Sequence, residues 1–120
     1  MANVFIVEDE IRLQKIYETI LQCIGHQIVG QAYNGEEAVE MIKSFTKKPD
    51  IIIMDHRMPK KNGIEATKEI LKIDNSIKII FASADNTALD KAIAVGAISF
   101  KTKPFTIEYL KSNIDKALKK

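Results

Sequence analysis

Three segments of the chain are apolar at nearly every position: Val4–Val7, Ile51–Met54 and Ile79–Ala82. Strands read this way when both of their faces are covered, as in parallel sheets enclosed by helices. Two further segments, Gln27–Tyr33 and Ala97–Lys101, mix polar and apolar positions and are expected at the edges of a sheet. Between these runs the period changes to that of a helix. Leu13, Ile16, Tyr17, Ile20, Leu21 and Ile24 make one apolar stripe, with Gly25 as its stop. Asn34 with Glu37 is a capping pair opening a helix that buries Ala38, Val39, Ile42 and Phe45. Asn62 with Glu65 repeats the device before Ile70 and Leu71. Leu89, Ala92 and Ile93 mark a fourth helix, ended near Gly96, and Ile107, Leu110, Ile114, Ala117 and Leu118 mark a fifth.

Five strands alternating with five helices predict an α/β fold with a doubly wound parallel sheet. Right-handed crossovers place the first strand in the interior, and edge-like second and fifth strands fit the order 2-1-3-4-5. In that order the first and third strands are neighbours, and the winding reverses at their C-terminal ends. Ligands of open α/β sheets bind at such a switch point.

Composition narrows the function without naming it. The 120 residues predict one domain spanning 1–120, and an apolar fraction of 46% with 28% charged residues is that of an ordinary globular protein. A net charge of +2, from 18 basic and 16 acidic residues, argues neither for nucleic acid nor for a membrane surface. Lys47-Lys48, Lys60-Lys61 and Lys119-Lys120 read as solvated charges. One cysteine, Cys23, excludes an internal disulfide, fits a reducing compartment and is expected in or near the core. No signal peptide is recognisable, and no apolar run approaches the roughly 20 residues that span a bilayer, so a cytoplasmic location is expected.

The chemistry gathers at strand ends. Glu8, Asp9 and Glu10 follow the first predicted strand, Asp55 follows the third, Ser83 the fourth, and Lys103 lies beyond the fifth. Carboxylates crowd together only with a cation or a shared proton to offset their repulsion. Three acids form a hard oxygen site that suits Mg2+ together with water and a phosphoryl oxygen. A lysine supplies a point charge for an anion, and a small hydroxyl residue can donate to one more anionic oxygen. Around a lone carboxylate, that set is fitted to receive a phosphoryl group. Taken singly, Ser83 reads as a turn residue and Lys103 as a surface lysine; together, at matching strand ends, the functional reading is stronger.

On Val7-Glu8-Asp9-Glu10, Met54-Asp55-His56-Arg57-Met58-Pro59 with Asn62-Gly63, Ala82-Ser83-Ala84, and Gly96-Ala97 through Phe100 to Lys103-Pro104-Phe105, the chain resembles a response-regulator receiver domain of two-component signalling. The likeness is to the stand-alone, chemotaxis-regulator type. The resemblance covers the whole length and implies a flavodoxin-like (βα)5 three-layer fold. It implies that Asp55 accepts a phosphoryl group from a phosphohistidine of a sensor histidine kinase or histidine phosphotransfer protein. It implies Mg2+ (or Mn2+) held by Asp9, Asp55 and the backbone carbonyl of Arg57, with Glu8 acting through water. Lys103 would pair with the phosphoryl group, and the Lys103–Pro104 bond would be cis. Ser83 would move to the phosphoryl oxygen and Phe100 would turn inward, remodelling the face of the fourth helix, fifth strand and fifth helix for a protein partner. Such a switch catalyses only its own phosphorylation and dephosphorylation. The resemblance implies a monomer or a phosphorylation-dependent dimer, with output through protein contact and no direct nucleic acid.

Several positions depart from the commonest family pattern. Serine stands for threonine at Ser83, and phenylalanine for tyrosine at Phe100. Arg57 and Asp85 flank the acceptor and the hydroxyl residue with opposite charges, and a pair between them is expected to slow dephosphorylation. Strand alternation sends His56 away from Asp55, which argues for a structural or exposed role. His26 reads as a loop histidine, and Met58, Phe81 and Phe105 as packing. Two rivals remain. An aspartyl-nucleophile phosphatase would carry an acid two residues after the nucleophile, where this chain has Arg57. An interaction module that takes no phosphate would not need Glu8, Asp9, Asp55, Ser83 and Lys103 together.

Overall fold

The computed structural model describes residues 2–56, 58–83, 89–97, 99–102 and 107–118. Strands and helices alternate throughout: β1 (Asn3–Val7), α1 (Ile11–Cys23), β2 (Gln27–Ala32), α2 (Gly35–Ser44), β3 (Ile51–Met54), α3 (Gly63–Ile73), β4 (Lys78–Ser83), α4 (Leu89–Ala94), β5 (Ser99–Thr102) and α5 (Ile107–Leu118). All pairings are parallel and the order is β2-β1-β3-β4-β5, as the hydrophobic pattern predicts. The mixed second and fifth segments are indeed the edges. Tyr33 falls outside β2, and β5 begins two residues later than its pattern suggests.

Strand alternation sorts the apolar runs onto two faces. Phe5, Val7, Ile52, Met54, Ile79 and Phe81 face Ala38, Val39 and Ile42 of α2, Ala66 and Ile70 of α3, and Ala92 of α4. Val4, Ile6, Ile51, Ile53, Ile80 and Ala82 face Tyr17 and Leu21 of α1 and Ile114 and Ala117 of α5. The result is three layers, with every residue of β3 buried.

Both predicted caps are present. The Asn34 side chain accepts from Glu37 N–H at 2.8 Å, and Asn62 accepts from Glu65 N–H at 2.9 Å. The orientation of α1 differs from expectation. Its buried residues are Gln14, Tyr17 and Leu21, whereas Ile16 is 44% exposed and Cys23 is exposed. At about 100° per residue, Ile16 and Cys23 lie roughly opposite Gln14 on the helix, so they turn outward once Tyr17 and Leu21 dock on the sheet. Ile93 and Leu118 are likewise exposed on α4 and α5.

Candidate functional site

The site forms where β1 and β3 lie side by side. Val7 pairs with Met54, and the Asp55 N–H donates to the Val7 carbonyl at 2.9 Å, which brings both chain exits to one level. On the other side the Glu8 N–H donates to the Ala32 carbonyl at 3.0 Å, closing the end of β2 onto the same loop. One carboxylate oxygen from each of Glu8, Asp9 and Asp55 lies within 4.8 Å of the others. Glu8 and Asp55 are buried, at 2% and 7% exposure, and Asp9 is open to solvent. The Glu8 carboxylate also accepts from the Glu10 N–H at 3.2 Å, which holds it back against its own loop. Two sheltered acids and one exposed acid this close present hard oxygen donors on one side and leave the other side to water or a ligand, which fits a divalent cation of the Mg2+ type.

Tyr17 of α1 belongs electrostatically to this cluster. Its phenol is pushed well above its ordinary pKa, first by burial and then by the charges of Glu8 and Asp55. It stays protonated and neutral at physiological pH.

The loop after Asp55 is shaped by close backbone approaches. Gly63 N–H donates to the His56 carbonyl at 2.9 Å, and Lys61 N–H donates to the Pro59 carbonyl at 2.8 Å. Lys60 adopts a left-handed φ of 68° between them. The loop is tied to α2 as well. Gly35 N–H donates to the Lys61 carbonyl at 3.0 Å, and a Cβ on Gly35 would sit 2.2 Å from that oxygen. Only glycine allows the first turn of α2 to rest on the loop. Lys61 is more than a solvated charge, since its ammonium pairs with Glu69.

Of the remaining site residues, Ser83 ends β4 and pairs with Thr102, while Phe100 pairs with Phe81. Ser83 therefore stands on β4, the strand beside β3, at the same end of the sheet as Asp55, and the Phe100 backbone stands on β5, one strand further out. Arg57, Asp85, Lys103, Pro104 and Phe105 lie outside the described residues. His56 is half-buried, with its ring 6.4 Å from that of Phe81. Its Nδ1 has no hydrogen-bond partner among the described residues.

Gln14 escaped the reading of the sequence. Its side-chain amide reaches the carbonyls of Ile6, Glu8 and Ala32 from within α1. The signal was its position, three residues before Tyr17 and seven before Leu21, on the stripe that docks against the sheet.

Residues 4–115 match the family described as the response regulator receiver domain. The chain belongs to that family. It is 44% identical over 105 residues to the chemotaxis protein CheY of Thermotoga maritima, covering 86% of each chain. It is 37% identical over 118 residues to CheY of Bacillus subtilis, covering 97% of each. Among solved structures it is similar to the CheX–CheY–BeF3–Mg2+ complex from Borrelia burgdorferi, with a TM-score of 0.91 and 29% identity over 97% of this chain and 88% of that one. The receiver domain is a phosphoacceptor signalling switch of two-component systems rather than a metabolic enzyme. Among the described residues, no helix is long and apolar enough to cross a membrane.

Proposed function

We propose that the chain is a single receiver domain over residues 1–120 whose phosphoacceptor is Asp55, with Mg2+ as the working cation (Mn2+ substituting). The supporting observation is the convergence of Glu8, Asp9 and Asp55 at the β1/β3 switch point, with oxygens within 4.8 Å. In this reading an Asp55 carboxylate oxygen attacks the phosphorus of a phosphohistidine on a sensor histidine kinase or histidine phosphotransfer protein. The P–N bond breaks, and its electron pair stays on the imidazole, which takes up a proton. Bound Mg2+ supplies positive charge that offsets the phosphoryl oxygens. Asp9 and Asp55 hold the cation directly, Glu8 orients it through water, and the Arg57 carbonyl is a further ligand. Lys103 pairs with the phosphoryl group and Ser83 donates to one of its oxygens. Phe100 then turns inward, and the face of α4, β5 and α5 changes for a downstream protein. Exposed Ile93 on α4 supports a protein-contact role for that face.

Incubation with Mg2+ and acetyl phosphate tests this reading. One labile phosphoryl group per chain is expected, lost in Asp55→Asn and when the divalent ion is chelated. Multiple turnovers would indicate a phosphatase. No labelling, together with no response to beryllofluoride, would indicate a module that takes no phosphate.

A further inference from the structure

Gln14 is a polar side chain on the buried face of α1, 1% exposed and in step with Tyr17 and Leu21. Its Nε2 lies 2.7 Å from the carbonyl oxygen of Ala32, 3.1 Å from that of Glu8 and 3.2 Å from that of Ile6. An amide nitrogen carries two hydrogens, so the shortest bond goes to Ala32 and the second hydrogen is shared between Glu8 and Ile6. All three partners are acceptors, which leaves only the nitrogen end of the amide able to face them. Its Oε1 is buried and has no hydrogen-bond partner among the described residues. An apolar side chain of similar volume would leave no such atom behind. The interaction that keeps a glutamine in this place is therefore the one made by its nitrogen.

The three carbonyls are not an arbitrary group. Ile6 is the next-to-last residue of β1, Ala32 the last of β2, and Glu8 the first residue of the loop that carries two of the clustered acids. The Ala32 oxygen already receives the Glu8 N–H, so Gln14 closes a small ring of donors and acceptors around the backbone of Glu8.

We propose that Gln14 is a positioning residue for the metal centre, its amide nitrogen clamping the exits of β1 and β2 so that the Glu8 and Asp9 carboxylates are held toward Asp55. The assignment rests on the reading of Glu8, Asp9 and Asp55 as the cation site. Groups that orient metal ligands from behind typically contribute about 10- to 100-fold to metal affinity. Gln14 acts by the same logic on a ligand's backbone.

The test is a Mg2+ titration of the full chain by calorimetry, comparing wild type, Gln14→Met and Leu21→Ala. Leu21 is buried on the same helix, so Leu21→Ala reports the effect of destabilising α1 alone. Gln14→Met, which keeps the length and loses the donor, is expected to weaken Mg2+ binding about 10-fold, while Leu21→Ala leaves it within twofold. The Glu8 amide should exchange with solvent faster in Gln14→Met, with β3 amides unchanged. On wild type itself, the NMR signals of the Gln14 side-chain amide should shift on Mg2+ saturation, and those of Gln22, Gln27 and Gln31 should not, a readout that survives even if Gln14→Met does not fold. Unchanged Mg2+ affinity in Gln14→Met, or a silent Gln14 amide in a wild type that binds Mg2+, overturns the proposal alone. A wild type that binds no Mg2+ overturns the site reading and this proposal with it.

Discussion

Gly63 and Asp55 approach so closely that a Cβ on Gly63 would lie 2.3 Å from the Asp55 carbonyl oxygen. The same Cβ would sit 2.9 Å from the Phe81 ring and 3.0 Å from the His56 Cα, so relief through one flexible side chain is not available. Gly63→Ala must displace the backbone of Asp55, the proposed phosphoacceptor. We expect a loss of about 1–3 kcal/mol in stability, the usual cost of overpacking. Urea denaturation measures it, and acetyl-phosphate labelling should slow in the folded fraction.

Mg2+ should stabilise the chain. A ligand that binds only the folded state at about 100 times its Kd adds roughly 2.7 kcal/mol. Asp9→Asn should lose most of that increment. In EDTA the same variant should be more stable than wild type, because one of three crowded negative charges is gone. Urea midpoints with and without the ion decide both halves, and equal midpoints in EDTA would show that repulsion in the cluster is negligible.

Thr67 should be improvable. It is fully buried on α3, and its hydroxyl has no hydrogen-bond partner among the described residues. Thr67→Val keeps the shape and removes the desolvated hydroxyl, with an expected gain of about 1 kcal/mol. Mg2+ affinity should not change. A destabilised variant would mean that the hydroxyl is satisfied in solution.

His26 should make stability sensitive to acid. Its Nδ1 accepts the Ala2 N–H at 3.0 Å, which a protonated ring cannot do. Its pKa is held below the ordinary value, chiefly by burial and then by the charge of the amino terminus, with Asp115 opposing. The unfolded chain therefore takes up this proton first. The stabilising contribution is complete above about pH 6.5 and is lost as pH falls toward the lower folded value. His26→Gln should show a smaller drop in urea midpoint than wild type between pH 8 and pH 5.

Much of this architecture is legible in the pattern of residues. Runs such as Ile51–Met54 have no polar face, and only a strand covered on both sides accommodates them. Asn34 and Asn62 announce their helices because a capping carbonyl needs only local backbone geometry. The acids at the ends of the first and third strands follow from strand order alone. The face of α1 was harder to read. Apolar residues cover more than half of its circumference, so periodicity allows several buried faces and does not choose among them. Docking against Val4 and Ile6 chose the one containing Gln14, and Ile16 and Cys23 were left outside.

By itself, then, the sequence determined the alternation of elements, the parallel sheet and its edges, the helix starts, and the meeting of Glu8, Asp9 and Asp55 at one end of the sheet. These depend on periodicity and chain order, which are local properties. The tertiary structure alone decided that a glutamine would hold the Glu8 loop, and that Gly63 and Gly35 would set the loop behind Asp55. Those roles depend on distances of two to three ångströms between residues far apart in the chain, and such distances exist only once the layers have packed.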